Sequence, residues 1–131
     1  MEHTTSLAVE GRHCRLPSTG DRADYRYRTT DRVLKILLEG DLARLRADSV
    51  AETLGMSGTT LRRRLRADHT CYQFLLDRAR QYRCEQQLRK LWRPGKCLAY
   101  ELGYLEVNSF YRAFRRWTGI SYSEYKERYC N

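Results

Sequence analysis

The feature that most constrains this chain is a punctuation pattern that occurs twice. Val50-Ala51, two residues and Leu54-Gly55-Met56-Ser57 are followed by Leu61 and Leu65. Leu98-Ala99, two residues and Leu102-Gly103-Tyr104 are followed in the same way by Phe110 and Phe114. In each copy a small Ala lets two helices cross closely and Gly supplies a left-handed turn after the first helix. Two large apolar residues four apart then hold the second helix against a core. No run of alternating β-branched residues competes with this pattern, so a sheet is not expected. Each copy reads as a helix-turn-helix, and the fold is expected to be all-α. Spacing alone would also suit two plain hairpins of a helical bundle; the outward faces decide between the two.

Seven helices are expected. Thr29 or Thr30 is placed to cap a first helix carrying Val33, Leu34, Leu37 and Leu38 on one stripe and ending at Gly40. A second helix runs over 47–54, and Ser57 caps a third over 58–68. A long fourth over 71–91 is broken by Trp92-Arg93-Pro94-Gly95. The grammar then repeats over 96–102, 107–118 and 123–129. Residues 1–28, with Pro17, Ser18 and Gly20 and little apolar periodicity, are expected to be a mobile arm. Residues 29–131 form the folded domain, with a first helix-turn-helix at about 47–68, a linker helix at 71–91 and a second at about 96–118.

The charge narrows the function. The 131 residues carry a formal net charge of +9, and 21 of the 25 basic residues are Arg. Residues 1–28 nearly balance, so the excess belongs to the folded part. Guanidinium forks pair bidentately with phosphates and guanine edges, whereas a membrane-surface peptide would do equally well with Lys. With Leu61 set at about 0° and about 100° per residue, Leu65 falls near 40° on the buried side. Thr59, Arg62, Arg63 and Arg66 fall near 160°, 100°, 200° and 140°, on the outward side. In the second copy Phe110 and Phe114 face inward, while Asn108, Tyr111, Arg112 and Arg115 point away. A single basic run is usually just a solvated face. Two such runs, each on the second helix of a hairpin, fit two major grooves, where Arg reads guanine, Asn reads adenine and the Thr methyl meets thymine.

The residues Val50 to Ser57, the spacing Arg80-(x)3-Cys84-(x)3-Leu88, and Leu98-Ala99-(x)2-Leu102-Gly103-Tyr104 through Phe110, Phe114, Gly119 and Ser123-Glu124-Tyr125 resemble the DNA-binding domain of the AraC/XylS family of bacterial transcription regulators. The resemblance spans about 30–129. It implies a homeodomain-like pair of helix-turn-helix units bridged by one long helix, binding double-stranded promoter DNA and contacting RNA polymerase. By position, the base-reading residues would be Thr59, Arg62 and Arg63 in the first unit and Val107, Asn108, Tyr111 and Arg112 in the second. Ser57, Thr60, Arg66, Arg115 and Arg116 are the phosphate candidates. Arg80, in register with Leu76, Cys84 and Leu88 on the bridge, is expected to be structural, pairing with an acid or capping carbonyls between the units. Four positions depart from the family pattern. Cys84 replaces Ala and should pack; His69 replaces Gly and should adopt a left-handed conformation. Tyr122 replaces Pro and is expected to loosen the start of the last helix, and Gly95 replaces an apolar residue and is expected to weaken the lead-in to the second unit.

Rival classes lack residues to carry them. There is no G-x-S-x-G, P-loop or H-E-x-x-H motif and no carboxylate and His cluster at helical spacing, so an enzyme is not expected. The five cysteines are odd in number and scattered, and His13 with Cys14 or His69 with Cys71 would be isolated ligand pairs. No metal and no cofactor is expected. A methyl-accepting DNA repair protein carrying the same domain would need a cysteine-rich zinc module, and only Cys14 lies upstream. No apolar run reaches the ~18 residues of a membrane span, so a cytoplasmic, nucleoid-associated location is expected. No effector-binding or dimerising domain fits in residues 1–28, so a stand-alone module is expected, acting as a monomer on an asymmetric promoter site and as an activator rather than a repressor. The alternative is a truncated regulator that binds DNA non-specifically or titrates polymerase or another partner.

Overall fold

A computed structural model describes residues 28–129; the expected arm therefore lies, apart from Arg28, outside the described residues, as do Cys14 and Cys130. Seven helices and no strands make up the described chain: α1 Thr29–Glu39, α2 Ala47–Thr53, α3 Gly58–Ala67, α4 Tyr72–Lys90, α5 Gly95–Glu101, α6 Val107–Thr118 and α7 Tyr122–Tyr129. The fold is all-α. Helix α1 lies along α4 and also meets α3; α2 packs on α3, α5 on α6, and α6 on α7. One apolar cluster runs through the molecule, from Val33, Leu37, Val50, Leu61 and Leu65 through Leu75, Ala79 and Cys84 to Leu98, Leu102, Phe110 and Phe114.

The turns follow from the glycines. Gly55 and Gly103 adopt φ of +75° and +88°, and each ends the first helix of its unit. His69 closes α3 in the same left-handed region at φ 64°, as expected for a residue type that tolerates it. Ser57 caps α3 by accepting the Thr60 N–H at 3.1 Å.

Three local expectations are corrected. The N-cap of α1 is Arg28, in extended backbone without a side-chain cap bond, and not a Thr. Asp68, just past α3, does the capping instead: its Oδ2 accepts from Thr30 Oγ1 at 2.7 Å and from the Thr30 N–H at 3.3 Å. Tyr122 does not loosen α7 but anchors it. Its ring is 5% exposed, lies edge-on to Phe114 at 5.0 Å and Phe110 at 5.3 Å, and its hydroxyl donates to the Arg93 carbonyl. Ser121 caps the same helix by accepting the Glu124 N–H. Gly95 does not weaken the start of α5 either. It is buried, and a Cβ there would lie 2.6 Å from Cε1 of Tyr111; the missing side chain is the room the Tyr111 ring occupies.

Candidate nucleic-acid interface

Burial of Leu61 and Leu65 on one side of α3 forces the opposite side outward. Thr59, Arg62, Arg63 and Arg66 are all exposed there. Ser57 and Thr60 are occupied with the helix cap, since Ser57 Oγ also donates to Thr60 Oγ1 at 3.1 Å. Thr60 is half-buried. In α6, the inward Phe110, Ala113 and Phe114 leave Asn108, Arg112 and Arg115 exposed. Among the described residues Arg112 reaches only Ser109 Oγ, at 3.4 Å, so its guanidinium keeps most of its donors.

Three candidates are held differently from the others. Val107, the first residue of α6, is half-buried against the core. Tyr111 is 36% exposed and lies back over Gly95, with Phe110 and Tyr122 beside its ring at 5.7 and 5.9 Å. Arg116 turns toward the bridge and pairs with Asp77 at 2.6 Å, an acceptor that it shares with the Trp117 Nε1–H.

The bridge helix positions both units. Arg80 Nε donates to the Leu102 carbonyl at 2.8 Å and its NH2 group to Gly103 at 2.9 Å, with the guanidinium 4.0 Å from the Tyr104 ring centroid. This is the carbonyl-capping role read from its register, and it satisfies the carbonyls at the C-terminal end of α5. Arg83 does the same for α1, donating to Leu37 and Gly40 at 2.8 and 2.6 Å. Nothing local in the sequence marks Arg83, because its partners lie more than forty residues away. Arg93, in the turn before α5, grips Glu101 at the far end of that helix, and this hydrogen bond, ahead of the charge attraction, holds the Glu101 carboxyl below its ordinary pKa.

Sequence reasoning passed over three exposed charged residues at the helix starts of the two units: Arg46 ahead of α2, Lys96 at the start of α5 and Glu106 ahead of α6. The signal for Arg46 and Lys96 is position, since the first helix of a helix-turn-helix crosses the DNA backbone. Among the described residues no group of three His, Cys, Asp or Glu side chains is placed to hold a metal ion. No described helix is long and apolar enough to cross a membrane.

Comparison with known proteins agrees with this geometry. The family model of a helix-turn-helix domain matches residues 50–128. The ornithine utilization regulator of Pseudomonas aeruginosa is 39% identical over 98 residues, covering 73% of this chain and 28% of that protein. An uncharacterised HTH-type transcriptional regulator of Mycobacterium tuberculosis is 40% identical over 79 residues, 60% of this chain and 23% of its own length. The chain thus spans about a quarter of the length of these relatives. Among solved structures, a DNA-binding transcriptional dual regulator of Escherichia coli K-12 superposes with a TM-score of 0.68 at 29% identity, covering 76% of this chain and 90% of that one. The transcriptional regulator CdpR of Pseudomonas aeruginosa does so at 0.65 and 31% identity, over 96% of this chain and 36% of its own. That family is a DNA-binding domain of regulators and not a class of enzymes. With paired helix-turn-helix units on one bridge and a family model covering more than half its length, the chain belongs to the AraC-type helix-turn-helix family of transcriptional regulators.

Proposed function

We propose that this chain binds one asymmetric promoter site by placing α3 and α6 in neighbouring major grooves, and that it acts as a monomeric transcription activator. The observation that carries the reading is the pair of exposed Arg-bearing faces, one on the second helix of each unit, held by a single bridge. Arg62, Arg63 and Thr59 are the base readers of the first unit, and Asn108 and Arg112 those of the second. Val107 adds an apolar contact at the edge of its groove, and Tyr111 presents a fixed aromatic edge rather than a free phenol. Arg66 and Arg115 serve phosphates, together with Arg46 and Lys96. Arg116, already neutralised by Asp77, contributes less. Contact with RNA polymerase rests on the family resemblance and on no residue singled out above.

The test is selection of binding sites from random duplexes, repeated for Arg63→Ala and Arg112→Ala. Each loss of a bidentate contact costs about 1 to 3 kcal/mol and flattens base preference in one half of the site only. A uniform loss over all sequences would reassign that residue to phosphate. If the unaltered protein enriches no sequence over bulk DNA at physiological salt, it is a non-specific or titrating module instead.

A further inference from the structure

We infer that the spacing this protein accepts between the two halves of its site is set by a joint of Arg83, Arg80, Leu42 and Gly103; the inference rests on the two-groove reading above. No strongly packed helix pair joins α2 or α3 to α5 or α6. Outside the apolar core, polar contacts hold the units to the bridge, among them Arg116 and Trp117 on Asp77, and one backbone contact joins unit to unit. The turn that ends α1 and the turn that ends α5 meet directly: a Cβ on Gly103 would lie 2.5 Å from the Leu42 carbonyl oxygen. Backbone stands against backbone there, so neither side has a flexible tip that could yield.

The bridge clamps each of these turns with one arginine. Arg83 holds the Leu37 and Gly40 carbonyls just before Leu42, and Arg80 holds the Leu102 and Gly103 carbonyls on the opposing turn. The two arginines are three residues apart on α4 and therefore adjacent along the helix. Arg80 uses two nitrogens of its planar fork, Nε and one terminal NH2 group, and Arg83 spans its two carbonyls from one terminal nitrogen, so each arginine makes two charge-assisted bonds. The turns are thus pinned to one rigid element and pressed against each other. One base pair added between half-sites moves the second groove by about 3.4 Å and rotates it by about 35°. A joint pinned in this way cannot follow that change, whereas a loosened one can.

The experiment takes the selected site of the full chain and varies its spacer by single base pairs, for the unaltered protein and for Arg83→Met, Arg83→Lys and Gly103→Ala. The unaltered protein should lose about tenfold in affinity for each added or removed base pair, on the order of a mismatch. Arg83→Met keeps the aliphatic stem but loses both carbonyl bonds; its penalty should fall below about threefold, with base preferences inside each half unchanged, and Arg83→Lys should recover part of the selectivity. Gly103→Ala pushes the turns apart and should move the preferred spacer. A DNA-free measurement runs beside it: spin labels at Glu52→Cys and Tyr100→Cys, both exposed positions, in a background with Cys14, Cys71, Cys97 and Cys130 changed to Ser. Their distance distribution should be narrow with Arg83 and broad with Arg83→Met. A lower melting temperature with an unchanged distribution and an unchanged spacer penalty would overturn the inference, leaving Arg83 a stabilising cap only. If the selected site has a single half, the two-groove reading fails, and an unbroadened distribution would then reject the joint independently.

Discussion

Cys84 shows how one atom of difference can be absorbed. It is 1% exposed on the face of α4 that meets the core. Burial disfavours the thiolate, with a smaller contribution from Glu85, and pushes its pKa up to about 12. The thiol thus packs as a small apolar group, while Cys71 and Cys97 are exposed. Iodoacetamide at mildly alkaline pH should label Cys71 and Cys97 in the folded protein and reach Cys84 only on unfolding, as read by peptide mass spectrometry; equal labelling of all three would contradict the burial. Because the folded pKa is the higher one, the stabilising contribution of Cys84 is complete below the ordinary thiol pKa near 9 and is lost as pH rises toward 12. Cys84→Ala should therefore flatten the alkaline limb of the stability profile. At this scale the sequence was legible where a residue acts on its own backbone: His69 takes the left-handed turn because its type tolerates it. It was illegible where a residue acts on distant ones. Tyr122 could not be recognised as an anchor without knowing that Phe110, Phe114 and the Arg93 carbonyl surround it.

Two helix ends carry the next predictions. Replacing Gly by Ala in a helix ordinarily stabilises by about 0.5 to 1 kcal/mol, but at Gly95 the added methyl would enter the Tyr111 ring, within 2.7 Å of Cζ. Overpacking of this kind costs typically about 1 to 3 kcal/mol, so the clash outweighs the propensity gain. Gly95→Ala should lower the melting temperature, and adding Tyr111→Ser should restore much of it; two additive losses would mean that the residues are not coupled. The second helix end is that of α5. Arg80→Ala removes two charge-assisted bonds to the carbonyls of Leu102 and Gly103 and the stacking on Tyr104. A loss of about 2 kcal/mol or more is expected, or about 10 °C in melting temperature for a domain of this size. Unchanged melting together with lost DNA binding would instead place Arg80 on the DNA. Apolar periodicity and glycine punctuation made the helices legible, down to Val107 and Thr118 as the limits of α6. The caps were less so. Ser57 caps a residue three places on, whereas Asp68 caps α1 from thirty-eight residues away, and no local pattern encodes such a partner. The exposed faces of α3 and α6 follow from periodicity alone, but the diversion of Arg116 to Asp77 depends on how α6 crosses α4.

For the molecule as a whole, the proposed two-groove binding makes the bridge the element that sets the geometry on DNA. Helix α4 has 19 residues, the flanking Cys71 and Leu91 serving as its caps, and so is about 28 Å long at ~1.5 Å per residue. Successive major-groove faces on one side of straight B-DNA are ~34 Å apart. A rigid bridge shorter than that separation cannot seat both recognition helices fully on a straight duplex, so the DNA should bend toward the protein. The elastic cost of such a bend is on the order of 1 to 6 kcal/mol and is lowest at a flexible pyrimidine-purine step, which should therefore be enriched between the half-sites although no side chain touches it. Each chain carries two unlike exposed faces, Thr59-Arg62-Arg63 and Asn108-Arg112, which the proposed function makes the reading faces. On that proposal one protomer should cover an asymmetric site of about two turns, without the inverted repeat that a symmetric dimer requires. Neutralising several phosphates with Arg66, Arg115, Arg46 and Lys96 should also make binding steeply salt-dependent, with the slope falling by about one for each of these residues removed. Binding stoichiometry on selected duplexes, with circular-permutation mobility shifts on the same fragments, checks both claims. One protein per site and a mobility minimum centred between the half-sites are expected. A two-to-one complex on an inverted repeat would sink the monomer, and position-independent mobility would mean a straight duplex with only one of α3 and α6 seated in its groove.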